Sequence, residues 1–449
     1  MTQSGIYKKR GVPTWQLVFL FIVGLLARCS SCLNTVEYYS KERLLQAMFY
    51  GKKISQSVFS RFMVTSFQWD LFNLKRIAKF QEDPETKLEN DDVIALDDTL
   101  VSHDHAKKMP FLYKLFDHCS NNYTYALNLV IIHAIKVTGL QYPLLYSIWK
   151  QDNGKDPHKS KLDLALIMLK QLKKQIPETL RLWVAMDRWY FAKDLYLEIE
   201  KLGFDWVTKA KKNTTLYRKV TIRGEKRFIA IYPEVLFKEA KPLFSIWRSK
   251  KTLCMPFKDI YISIDEGKRG RGRPKKPILK PIQAVVIANL EEDQQNGELK
   301  DTFALLISNK LDTEATKIVQ VYKKRWSIEV FFRNAKQELG LNDCHSTNEN
   351  HLHAHLSLLF VAESLVRFAQ WKYNEKAGIE EKITHGQVVD LLFHTRCEAL
   401  LSEKKDSIQV YFDTAIKQYA SFINEYWPRH LTMAWFDMQV NWDYIPLSR

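Results

Sequence analysis

Acid is what this chain is short of. Against 67 Lys and Arg it sets 51 Asp and Glu, for a formal net charge of +16 and a pI near 9.3. Such an excess of cation points to a polyanionic partner, nucleic acid first and membrane phospholipid second. Cysteine is sparse: Cys29, Cys32, Cys119, Cys254, Cys344 and Cys397 are scattered over 449 residues. That excludes a disulfide framework and implies reduced thiols. Cys29-Ser-Ser-Cys32 is a single C-x-x-C with no second Cys/His pair close by, so a zinc or redox motif is not expected there. A long apolar run is also missing. Leu17 to Ala27, preceded by Lys8-Lys9-Arg10, falls short of the ~20 residues a membrane helix needs. It has the outline of a secretory signal. We read it instead as a buried helix of an N-terminal domain and expect no membrane partner.

What is present is ample apolar material. Hydrophobic residues make up 46% of the chain, enough for a large core and two to four domains. Aromatics reach 13%, with 12 Trp, suited equally to core packing and to stacking on bases.

Residues 1–85 read as helical, with helices over Ser40 to Tyr50, ended by Gly51, over about Ser55 to Met63, and over Trp69 to Phe80. Two short helices across a glycine turn, with Lys52, Lys53 and Arg61, are compatible with a helix-turn-helix DNA reader. Any basic helical hairpin shares that pattern. Residues 91–99 read as an apolar strand ending in Asp97 and Asp98. Strands are expected over Tyr123 to Val137 and Leu140 to Trp149, then a helix from Leu162 to Ile176. A strand over Leu180 to Met186 ends at Asp187, followed by a helix (Phe191 to Lys201) and a strand (Asp205 to Ala210). Strands alternating with helices predict an α/β fold, a mixed sheet covered by helices with acids collected at strand ends.

Residues 212–310 break the alternation. Leu216 to Thr221, Arg227 to Tyr232, Ile260 to Ile264, Ile282 to Leu290 and Thr302 to Ser308 read as strands without long helices between them, a β-rich insertion. Within it Gly267 to Pro277 is too basic and too rich in Gly and Pro to pack, so it is an exposed loop. Its Arg271-Gly272-Arg273-Pro274 resembles an AT-hook core, which lays two arginines in a narrow minor groove. A flexible loop making phosphate contacts fits the same residues. Beyond Asn342 the chain reads as helical. His351, His353 and His355 alternate, and only His351 and His355 have the spacing of two ligands on one helical face. Leu356 to Leu365 is expected to pack on the sheet. Residues 376–449, with Trp427, Trp435 and Trp442, are expected to be helical and to serve dimerisation or DNA contact.

The densest information lies in Tyr322-Lys-Lys-Arg-Trp-Ser-Ile-Glu-Val-Phe-Phe-Arg-Asn-Ala-Lys336. At about 100° per residue, Tyr322, Arg325, Glu329 and Lys336 fall inside roughly a 60° stripe of a helix. Val321, Ile328, Phe332, Ala335 and Leu339 form the neighbouring apolar stripe. Asp312 or Thr313 can cap this helix and Gly340 can close it. A lone acid among cations suits metal-dependent phosphodiester chemistry, the acid holding a divalent cation and the cations holding phosphates.

This spacing resembles the Tyr-(2)-Arg-(3)-Glu-(6)-Lys motif of bacterial insertion-sequence transposases of the Asp-Asp-Glu class, including the Trp after the Arg (Trp326). The resemblance covers roughly residues 90 to 370 and implies a ribonuclease H-like fold. The implied domains are 1–85, helical and DNA-binding; 86–211, the first part of the ribonuclease H-like core; 212–310, the β-rich insertion; 311–375, the final core helices; and 376–449, a helical C-terminal region. Asp97, Asp187 and Glu329 match the three catalytic acids and would hold two Mg²⁺ (or Mn²⁺) ions. Asp98 competes with Asp97, since one step along a strand turns the side chain to the opposite face. Tyr322, Arg325, Trp326 and Lys336, with Arg271 and Arg273 from the loop, would contact DNA. The implied activity is cutting of element ends and joining to target DNA by a homodimer, in the bacterial cytoplasm at the nucleoid. The rival functions are a DNA-binding relative without catalysis and a structure-specific nuclease of the same fold.

Overall fold

Alternation of side chains along residues 93–102 lays down the central strand, and everything else is arranged on its two faces. The computed structural model describes residues 5–393 apart from 9, 43, 44, 47, 48, 50, 107, 119, 153, 155–157, 247–251, 266–276, 293–298 and 379–381. The loop carrying Arg271 and Arg273, and residues 394–449 with Trp427, Trp435 and Trp442, therefore lie outside the described residues.

The chain opens on helices, among them α1 (Thr14–Leu26), α2 (Cys32–Lys41), α3 (Gln56–Met63) and α4 (Trp69–Glu82). The apolar run expected to be a buried helix is α1, with Leu17 to Leu26 buried and packed against α2 and a long helix near the C-terminal end of the described chain. Ser31 caps α2 by accepting from the Asn34 N–H, and Ser55 caps α3 by accepting from the Val58 N–H. The helix expected over Ser40 to Tyr50 starts differently. Ser40 and Lys41 close α2, which the sequence reading did not anticipate, and several residues of that stretch lie outside the described set.

The sheet begins with β1 (Val93–Ser102), β2 (Tyr113–Asp117), β3 (Asn122–Ile135) and β4 (Gln141–Ile148). Then come α5 (Lys161–Lys173), β5 (Trp183–Met186), α6 (Lys193–Lys201) and β6 (Asp205–Lys209). Strand β1 runs antiparallel to β3 and parallel to β5, which is parallel to β6. The next elements are β7 (Leu216–Ile222), β8 (Glu225–Ile231), α7 (Pro233–Ile246), β9 (Thr252–Asp265), β10 (Ile278–Glu292) and β11 (Leu299–Ser308). One expectation changes here. A 14-residue helix, α7, interrupts a stretch read as free of long helices. It starts on Pro233, whose fixed φ suits a first helical position, and buries Leu236 and Ala240 one turn apart. In addition, β11 hydrogen-bonds to β6, so these strands extend one sheet in the order β2-β3-β1-β5-β6-β11-β10-β9-β7-β8, with β4 beside β3. A mixed, mostly antiparallel sheet flanked by helices is compatible with a ribonuclease H-like fold.

The last elements among the described residues are α8 (Ala315–Lys324), α9 (Trp326–Glu338), α10 (Glu349–Lys376) and α11 (His385–Phe393). The single helix expected across the Tyr322–Lys336 stretch is broken at Arg325, which ends α8 and starts α9. Its expected caps also differ. Glu314 precedes α8 without a side-chain cap, and the Thr313 backbone is tied to β10: Gln283 accepts from the Thr313 N–H and donates to its carbonyl. Gly340, at φ 63°, closes α9 as expected.

The pleat sorts the core into two layers. Val93, Ala95 and Val101 of β1 pack with Leu127, Leu129 and Ile131 of β3 and with α8, α9, α10 and α1. Ile94 and Leu96 face α5 and α6 on the other side. On the first side Phe331 of α9 is fully buried, stacked on His133 of β3 at 5.3 Å and edge-on to Phe360 of α10 at 5.7 Å. Among the described residues only α10 is long and apolar enough to cross a membrane, and 89% of its apolar window is buried inside the protein. The alternating histidines at its start have separate partners: His351 the Cys32 thiol, His353 the Tyr146 hydroxyl, and His355 the Gly340 carbonyl.

Phe331 and Trp326 lie on the same helix in opposite environments, the latter 63% exposed. Phe331→Ala is expected to cost about 3–5 kcal/mol, and Trp326→Ala to stay within about 0.5 kcal/mol. Urea unfolding of the two variants checks this.

Candidate active site

Asp97 stands where β1 outruns its neighbour. Strand β5 pairs with Val93 to Leu96 and stops at Met186, opposite Leu96. Asp187 therefore leaves the end of β5 beside Asp97, which stays within β1 as that strand runs on to Ser102, whereas the acids were expected to end it. Trp183 and Ala185 share the face of Val93 and Ala95, so alternation puts Asp97 and Asp187 on that face too. It is the face covered by α8 and α9.

The break between those helices delivers Arg325 to the acids. Its Nη1 donates to Asp97 Oδ2 at 2.5 Å and to Glu329 Oε1 at 3.2 Å. The guanidinium carbon lies 5.8 Å from the Tyr322 ring centroid. The side chain of Arg325 is only 12% exposed, and its buried Nε–H has no partner. Burial works against the Arg325 charge, but Asp97, Tyr322 and Glu329 outweigh it and raise the pKa. Burial pushes the Asp97 carboxyl up to about 7; Arg325 pulls against that rise and Glu329 adds to it. Burial also raises the Tyr322 phenol, opposed by Arg325 and reinforced by Asp187, so the hydroxyl stays protonated at neutral pH.

Asp187 has a local task as well. Its carboxylate accepts from the Trp189 N–H at 3.3 Å and caps the single 3-10 turn Arg188–Tyr190. That turn carries Tyr190 onto the opposite face, where its hydroxyl donates to Asp98 at 3.0 Å. Asp98 also accepts from Lys161 at 2.7 Å and from Asn128 at 3.0 Å. Asp97 and Asp98 thus point to opposite sides of the sheet, Asp98 into an ion pair at the start of α5.

The structure therefore gathers Asp97, Arg325, Glu329 and Tyr322, with Asp187 in register beside Asp97. Lys336 is half-buried two turns farther along α9, and Trp326 projects into solvent. Sequence reasoning missed Lys161, Asn128 and Tyr190 around Asp98. Tyr190 stands three positions after Asp187, yet no spacing rule ties it to Asp98. Three carboxylates form an all-oxygen donor set, which suits a hard divalent cation. Among the described residues no three such groups stand close enough to chelate one ion, and Arg325 stands between Asp97 and Glu329. By donor chemistry the carboxylates fit a hard divalent cation; in this arrangement the guanidinium neutralises Asp97 and Glu329 instead.

The family described as Transposase DDE domain matches residues 89–364, well over half of the chain. The chain is also similar to a "Probable transposase for insertion sequence element IS5377" from Geobacillus stearothermophilus, with 34% identity over 70 residues. That stretch is 16% of this chain and 18% of the relative, so the likeness spans under a fifth of that protein.

The raised Asp97 pKa sets a pH dependence in metal-free protein. An acid whose folded pKa lies above its unfolded value favours the fold at low pH and loses that contribution as pH rises, here from about 4 to about 7. Asp97→Asn keeps the neutral form at every pH. Its stability relative to wild type, in EDTA, should therefore be higher at pH 8 than at pH 5, by a gap on the order of a few kcal/mol. Calorimetry at the two pH values checks it.

Proposed function

The chain belongs to the Transposase DDE domain family, and we propose that it is a DNA transposase that cuts insertion-sequence ends and joins them to target DNA. The observation that carries this reading is the Arg325 guanidinium held between Asp97 and Glu329, beside Asp187, at the broken helix. The placement suits the Tyr-Arg-Glu-Lys signature, with Asp97, Asp187 and Glu329 as the catalytic acids. These three would hold divalent cations, two Mg²⁺ or Mn²⁺ ions, which supply the Lewis acidity for attack on a phosphodiester and offset the charge of the leaving oxygen.

The protein's own groups do the rest. A DNA phosphate, fully ionised, competes with Asp97 for Arg325, and the unpartnered Nε–H is free to bond it. Transfer of the guanidinium to the backbone frees Asp97 and Glu329 together. Glu329, 37% exposed at its side chain, has room to turn toward Asp97 and Asp187. The neutral Tyr322 hydroxyl can donate to a neighbouring phosphate oxygen, Lys336 can hold the strand farther along α9, and Trp326 offers an exposed ring at the entrance. Water attacks the phosphodiester at the 3′ end of the element and expels its 3′ oxygen as a hydroxyl; that 3′-hydroxyl then attacks a target phosphodiester at the same acids and expels the target's own 3′ oxygen. Two ends brought together by a homodimer, in the cytoplasm at the nucleoid, complete the reading. The free basic balance of the chain supports a polyanionic substrate.

Purified chain incubated with Mg²⁺ or Mn²⁺ on DNA carrying the gene and its flanks should cut at the element's edges. Asp97→Asn, Asp187→Asn and Glu329→Gln should each lower the cutting rate by roughly a thousandfold or more while DNA binding persists. Asp98→Asn should lower stability and keep measurable cutting, because its carboxylate faces Lys161. Binding without cutting under either metal would favour an inactive DNA-binding relative. Cutting of junctions or hairpins regardless of the flanks would favour a structure-specific nuclease.

A further inference from the structure

The row of side chains that includes the partner of Asp97 does not stop at the core. Asp97 lies opposite Ile131, and Ile131, Leu129 and Leu127 alternate along β3 into the layer beneath α8 and α9. Tyr125 and Tyr123 continue the same row. On β2, Lys114 pairs with Tyr125 and Phe116 with Tyr123, so these two share the face as well. The covering helices have ended by this point. Tyr123 is 62% exposed, Tyr125 47% and Phe116 38%, and Lys114 is exposed beside them.

These side chains form one surface. Phe116 stands edge-on to Tyr123 at 5.2 Å and to His118 at 5.1 Å, and the Lys114 ammonium lies 5.8 Å from the Tyr123 ring. The other face of the hairpin is engaged inward: Tyr113 packs on Trp149 at 5.7 Å, and Thr124 donates to Asp104. Asp117 accepts from Ser120, so the hairpin's acids are turned to their own neighbours. Clustered aromatics left in water mark a surface that meets a partner. Open rings flanked by a cation on a sheet match the π-faces and phosphates of unpaired nucleotides. Tyr125 lies six positions along β3 from Ile131, roughly 20 Å of strand from the acids. That is within reach of the same DNA molecule.

We propose that the β2–β3 hairpin is a stacking platform for unpaired bases of the DNA end, with Tyr123 and Tyr125 as the stacking rings and Lys114 on the adjoining phosphate. The proposal rests on the transposase reading and adds the form of the substrate: an end whose strands are parted a few nucleotides from the acids.

The test uses the full-length chain in EDTA and two fluorescent probes, a blunt duplex and the same duplex with a short single-stranded 3′ extension containing 2-aminopurine. The extended probe should bind tighter by roughly tenfold or more, the scale of one or two stacked bases, and its fluorescence should be quenched. Tyr123→Ala/Tyr125→Ala should abolish both the preference and the quenching and leave blunt-duplex affinity unchanged. Tyr123→Phe/Tyr125→Phe should retain them. Raising the salt should weaken both probes, the extended one slightly more steeply because Lys114 adds one phosphate contact, while the quenching of bound probe by the rings persists. Absence of a preference in the wild type, or an alanine variant that keeps it, overturns the platform. So does an alanine variant that weakens both probes equally. A wild-type chain that binds neither probe refutes the transposase reading along with it, whereas one that binds and cuts blunt ends without preference refutes the platform alone.

Discussion

A single guanidinium held between two carboxylates organises the site. Arg325 pairs with Asp97 from the sheet and Glu329 from the helix that Arg325 itself begins. Without a cation there, two acids near a buried strand end would repel each other across a poorly solvated gap. The chain supplies that cation from within. The arrangement holds because α9 is fixed from beneath: Ile328, Phe331, Phe332 and Ala335 are buried against β3 and α10, so the helix cannot slide along the sheet. Core packing thereby sets the position of a charge cluster on its rim.

The pleat accounts for much of the rest. One face of β1 carries Asp97 toward the broken helix, and the other carries Asp98 toward Lys161 and Tyr190. Parallel pairing with β5 brings Asp187 level with Asp97, and antiparallel pairing with β3 extends the same face to the aromatic hairpin. A one-residue slip would exchange the roles of the two adjacent aspartates and turn the tyrosines away. The apolar residues on both faces, among them Ala95 and Leu96, make such a slip costly because both layers are filled.

Much of this was legible in the residues. Strong alternation and short apolar runs located β1, β3, β5 and the flanking helices to within a few residues. The apolar stripe beside Glu329 pointed to the buried face of α9, and Gly340 to its end. What was not legible depends on contacts far apart in sequence. The break at Arg325 follows no glycine or proline; it coincides with a pull from Asp97, 228 positions away. The side-chain cap expected from Thr313 is absent, and the Thr313 backbone is tied to the Gln283 amide of β10. Helix α7 was hidden because it begins on proline and lies among strands. Likewise, the sequence favoured Asp97 with Asp98 as its competitor, but could not show that Arg325 meets the one and Lys161 the other.

The central claim is that Asp97, Asp187 and Glu329 converge on divalent cations once Arg325 is drawn away. Crystals of the chain bound to an element-end duplex and soaked in Mn²⁺ would show this directly through anomalous scattering. The account predicts manganese peaks ligated by Asp97 and Asp187, with Glu329 completing the set and Arg325 turned onto a phosphate. Manganese beside Asp98, or DNA bound with Arg325 still clamped between Asp97 and Glu329 and no peak at the acids, would contradict it.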